Sequence, residues 1–167
     1  MAELPLRERK AARLRLGLVD ALVERLDERP LEAIPVRELC ATVPCAEPTF
    51  FNHFAGKTDL LVFFVQLWSL EMAWLARSLD PADPLGAIEA IFAHTARKTV
   101  DHPGVMGEVL AFQARHPDPL EPPPLTRAEK TLAFPEHPGI EDLDGMGLES
   151  LLPPLLTLIS PCSAVSV

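Results

Sequence analysis

Thr49-Phe50-Phe51-Asn52-His53-Phe54-Ala55-Gly56-Lys57-Thr58-Asp59-Leu60-Leu61 is the stretch on which the reading of this chain turns. Phe50 and Phe54 are four residues apart, so on a helix they share one face. Thr49, Asn52 and His53 fall on other faces and carry polar groups that reach base edges or phosphates. Gly56 stops the helix, Lys57 follows, and an apolar run from Leu60 opens the next one. A short helix that is apolar on one side and polar on the other suits insertion into a groove. DNA is the first partner it implies.

The segments around this stretch are also helical. From Leu6 to about Glu28, Ala11, Leu14, Leu18, Leu22 and Leu26 recur at steps of three and four and predict a core-facing stripe. Arg29-Pro30 ends that helix, because the residue before proline disfavours helical geometry. A short loop, Leu31 to Pro35, precedes a two-turn helix over Val36 to Thr42. Val43-Pro44-Cys45 is a tight connector, and Ala46 to Phe54 is the next short helix, with Pro48 tolerable in its first turn. Two short helices joined this closely are a helix-turn-helix.

Downstream, Gly56 to Leu79 is apolar on nearly every side and predicts a helix buried all round. It is expected to lie between an N-terminal trio of helices and a second helical layer. Asp80-Pro81 and Asp83-Pro84 mark a boundary. Helices are expected over Leu85 to Val100, Val105 to Arg115 and Leu125 to Phe134, and another over Gly139 to Leu152. Pro117 to Pro124 holds five prolines in eight residues and predicts an extended loop. The uncharged tail from Ser160 to Val167 carries no structural signal.

Composition narrows the function classes. The net charge of −9 argues against a general nucleic-acid glue, but it is unevenly spread. Residues 1–60 carry nine Lys/Arg and ten Asp/Glu, residues 61–167 six and fourteen, and Arg7, Arg9, Lys10, Arg13 and Arg15 cluster near the start. A sequence-reading DNA binder with a separate acidic domain fits this asymmetry. The longest uncharged runs are too short or too broken by proline to span a bilayer, and the charged N-terminus has no apolar signal-like core. Three cysteines (Cys40, Cys45, Cys162) form an odd, sparse set, as expected for a cytoplasmic protein.

The run Leu39-Cys40, Val43-Pro44-Cys45-Ala46, Pro48-Thr49-Phe50-Phe51-Asn52-His53-Phe54, Lys57 and Leu60-Leu61 resembles the TetR family of bacterial transcription regulators. The resemblance covers residues 6 to about 62. It implies an all-α chain: an N-terminal three-helix helix-turn-helix domain over 1–55, and a C-terminal helical bundle over 56–167 for effector binding and dimerisation. It also implies a homodimer that places the second short helix of each subunit into successive major grooves of a palindromic operator. A small-molecule effector would then change the spacing of the two reading heads, most simply in a repressor. The chain departs from the family pattern at Pro35, Pro44, Ala46 and Phe51. These departures also fit a helical module that binds a ligand or partner without specific DNA binding.

The residue chemistry suits direct readout. Glu47 can accept from cytosine N4, Thr49 can touch a thymine methyl or a phosphate, and Asn52 can pair with adenine. Pro48 and Phe51 share that short helix. His53 and Lys57 match family positions that face the phosphate backbone, and Arg37 with the basic N-terminal residues adds phosphate contacts that position without reading sequence. Trp68, Met72, Phe92, Met106 and Phe112 are candidates for an effector cavity, although at helical spacing they also read as plain core. His94, His102, His116 and His137 are scattered. No metal, cofactor or catalytic constellation is expected, and an enzyme is disfavoured. Leu148 to Ile159 is apolar enough to make the dimer contact.

Overall fold

In the computed structural model, which describes residues 4–79, 82–116 and 122–144, the first stripe forms helix α1 (Leu6–Leu26). Of the expected stripe, Leu18, Leu22 and Leu26 are buried and Ala11 and Leu14 half-buried, while Ala12, Val19 and Ala21 are buried as well. The cause is tertiary, since α1 is packed by four other helices rather than one. After Pro30, a single 3-10 turn (Leu31–Ala33) occupies the expected loop. Helix α2 (Val36–Thr42) follows, with Pro35 just before it in extended geometry. The Glu38 carboxylate accepts from Arg25 Nε at 2.7 Å and also from Arg29, which ties α2 to the end of α1.

The connector from α2 runs through Val43, Pro44, Cys45 and Ala46. Cys45 N–H donates to the Val43 carbonyl at 2.6 Å, closing a three-residue turn around Pro44. Such a turn needs a central φ near −75°, which proline supplies. The connector therefore needs no glycine. Helix α3 (Glu47–His53) then starts at Ala46, whose side chain offers no cap.

Helix α4 (Lys57–Ser78) buries residues on every side, from Leu60 and Leu61 through Phe63, Phe64, Leu67 and Trp68 to Met72. By length and composition it could cross a membrane, with mean hydropathy 1.4, but 61% of its apolar window is buried inside the protein. That is the environment of a core helix. Helix α5 (Pro84–Asp101) is capped by the Asp83 side chain, which accepts from Gly86 N–H at 2.9 Å. Among the described residues, helix α6 (Pro103–Arg115) and helix α7 (Arg127–Ala133) complete the α-helices, and no strand occurs.

The later helices fold back onto the first. Asp27, just past α1, accepts from Gly104 N–H at 3.1 Å and sits 3.1 Å from His102 Nδ1. A Cβ at position 104 would overlap the Leu26 carbonyl, so this close approach requires glycine. Helix α7 packs along α1 and carries a full capping box: Thr126 Oγ1 accepts from Glu129 N–H at 3.2 Å, and Glu129 accepts from Thr126 N–H at 2.7 Å. Buried residues on either side of position 55, from Leu18 to Phe112, belong to one continuous cluster.

Over residues 139–144, the described part of the helix expected from Gly139, there is a 3-10 turn (Ile140–Asp142). Gly139 takes φ +80° and Leu143 is already extended, so helical geometry fails at both ends. The part of that expectation beyond Asp144, the dimer contact at Leu148 to Ile159 and the tail from Ser160 all lie outside the described residues. So do the first five residues of the proline-rich loop.

Candidate nucleic-acid interface

Helix α3 is held by two rings. Phe50 is fully buried and Phe54 nearly so. Their centroids are 5.7 Å apart, and Phe54 is again 5.7 Å from Phe63 of α4. The Arg15 guanidinium of α1 lies 4.2 Å from the Phe63 ring centre and 5.0 Å from that of Phe54. It also pairs with the buried carboxylate of Glu129. One cation thus joins α1, α3, α4 and α7, and it adds cation–π attraction to the apolar packing.

The other side of α3 is open. Glu47, Pro48, Phe51 and Asn52 are exposed, and Thr49 is half-buried. Phe51 is 53% exposed and meets Phe50 edge-on, with centroids 5.3 Å apart. Neither Thr49 nor Asn52 makes a side-chain hydrogen bond among the described residues, so their polar groups are free for an outside partner. Arg37 on α2 is exposed, as are Arg7, Lys10 and Arg13 on α1. Because Arg15 stacks on Phe54, the basic turns of α1 that precede it start from beside the end of α3.

His53 is half-buried. Burial, and then the nearby Arg15 guanidinium, hold its imidazole below the usual 6.5, with Glu129 opposing them. It is therefore neutral at pH 7 and offers a hydrogen bond rather than a charge. Lys57 differs most from expectation. Its ammonium donates to the carbonyls of Leu31, Glu32 and Ile34, at 2.6, 3.2 and 2.7 Å. All three of its donors are used within the chain. A phosphate contact there would displace one of these bonds. Backbone placement set this role, and nothing in the local sequence signals it. Nor did the sequence single out Glu129, since its partner Arg15 is 114 residues away.

Cys40 is buried beside the connector. Burial first, and then the Cys45 thiol, push its own thiol up to about 11, which leaves it inert as a nucleophile. Among the described residues no group of His, Cys, Asp or Glu could hold a metal ion.

A cleft of about 530 Å³ opens between α1, α4, α5 and α7. Its walls are apolar (Val19, Val23, Phe64, Leu67, Trp68, Phe134), and Asp20, Glu24, Glu71, Lys98 and His102 supply its polar groups. Desolvation, and then Glu24, hold the Asp20 carboxyl above its ordinary value. Of the five residues expected at an effector cavity, Trp68 lines this cleft. Met72, Met106 and Phe112 do not, because they are closed into the core with 5% exposure or less. Phe92 is half-buried on α5 and also lies outside the lining. Comparison of the chain with protein-family models, with curated proteins and with solved structures finds no match to any of them.

Proposed function

We propose that this chain is a DNA-binding transcriptional regulator of the TetR type. It would act as a cytoplasmic repressor, binding a palindromic operator as a homodimer. The observation that carries the reading is the two-sidedness of α3: Phe50 and Phe54 are clamped by the core, while Pro48, Phe51 and Asn52 are exposed and Thr49 lies half-buried at the margin. In this reading α2, the connector and α3 form the helix-turn-helix. Asn52 and Thr49 read bases, and Arg37, His53 and the basic turns of α1 contact phosphates.

The effector site in this reading is the cleft beside Trp68. Its wall includes Val19 and Val23 of α1, and the same helix holds α2 through Arg25 and Glu38. A ligand that fits one placement of α1 better than another would shift α2 and α3 with it.

Selection of bound duplexes from a random pool at low salt tests the proposal. A two-fold symmetric motif, relaxed at single positions by Asn52→Ala, is the expected result. A folded protein with no sequence-selective binding would refute it. The second reading, a helical module without specific DNA binding, would then stand. Three observations favour it: the uncapped start of α3, the hydroxyl-free ring of Phe51, and the intrachain use of Lys57.

A further inference from the structure

Helix α5 presents an apolar stripe that the described residues leave largely uncovered. Leu85, Ile88, Phe92, Ala96 and Val100 follow one another at steps of three and four, so they share one face along the whole helix. Leu85 is 78% exposed, Ile88 51% and Val100 79%. The opposite face does the attaching. Ile91 packs on the core, and His94 Nε2 and Lys98 Nζ lie 3.3 and 3.5 Å from the Glu71 carboxylate of α4.

We propose that this stripe is where a second copy of the chain docks, with the two α5 helices antiparallel across a two-fold axis at Ala93. The flanking charges select this arrangement. Glu89 and Arg97 border the same side of the stripe, each four residues from Ala93, and both are exposed with no ion pair among the described residues. Antiparallel pairing about Ala93 sets Glu89 opposite the partner subunit's Arg97, and does so twice by symmetry. Parallel pairing would put this flank on opposite sides of the seam in the two copies, so neither Glu89–Arg97 pair would form. The exposed Ala93 and Ala96 remove bulk at the centre, so the backbones can approach closely.

The charge pattern thus complements itself, which favours a second copy over a foreign helix. An 18-residue helix is about 27 Å long, so the seam lies at the small end of specific interfaces. A reversible dimer dissociating at micromolar concentration is expected. This inference does not depend on DNA binding and is tested without DNA.

Sedimentation equilibrium of the full chain, from low to high micromolar, is the measurement. A monomer–dimer equilibrium is expected for the unaltered chain. Ile88→Glu should weaken dimerisation about tenfold or more, with the helical circular dichroism unchanged. Glu89→Arg and Arg97→Glu should each weaken it severalfold, and the double variant should recover most of the loss. Three results would each overturn the proposal: a monomer at every concentration, a dimer indifferent to Ile88→Glu, or a double variant no tighter than the singles.

Discussion

Replacing Lys57 with methionine separates two roles for the same cation. Methionine keeps the apolar stem and removes the ammonium. The change deletes three hydrogen bonds, to the carbonyls of Leu31, Glu32 and Ile34, which close the turn between α1 and α2 onto the start of α4. A hydrogen bond to a charged group is worth about 1.5–3 kcal/mol in a protein. The three share one half-exposed ammonium, and water re-solvates the freed carbonyls in part, so a total loss of about 2–3 kcal/mol is expected. In a chain of this size that lowers Tm by about 5–10 °C. Urea unfolding followed by circular dichroism measures the first effect. The salt dependence of DNA binding measures the second, because each phosphate contact contributes about 0.9 to the slope of log K against log salt. Lower stability with an unchanged slope is the expected outcome. Stability within about 0.5 kcal/mol of the parent, with the slope reduced by one contact, would refute the clamp and return Lys57 to the phosphate backbone.

Glu129→Ala strands the Arg15 guanidinium and frees the Thr126 N–H, and should cost about 3–5 kcal/mol in urea unfolding. Glu129→Gln, which can still accept from Thr126, should cost less. Ala46 already has the extended geometry of an N-cap, so Ala46→Ser should add about 1 kcal/mol of stability by capping α3. No rise in Tm would show that the serine does not reach the free N–H groups. The His53 imidazole is held below 6.5 in the fold, so the unfolded chain takes up the proton first as pH falls. Stability should therefore drop as pH is lowered from about 6.5, while affinity for DNA rises over the same window as a phosphate recruits the protonated ring. His53→Gln should flatten both curves, and a pH-independent parent in both assays would contradict the reasoning.

Much of the fold was legible because it is local. The four-residue step from Phe50 to Phe54 predicted which face of α3 is buried, since helical period alone places both rings on one side. Proline positions bounded α1 and α2 for equally local reasons: a ring that disfavours helix before it and suits a helix start after it. Over its described part, residues 139–144, the helix expected from Gly139 is replaced by a 3-10 turn, because the glycine takes a left-handed conformation that ends regular helical geometry there.

The sequence by itself determined where helices α1 to α6 lie, the shared face of Phe50 and Phe54 and the outward set on α3, because these follow from spacing along one chain. Only the tertiary structure decided what each charge does. Whether Lys57 meets a phosphate or three carbonyls, and whether Arg15 lies in solvent or between two rings and Glu129, depends on parts of the chain brought together from 23 to 114 residues apart. Long side chains act over several ångströms, and sequence spacing does not encode which distant groups arrive within that reach.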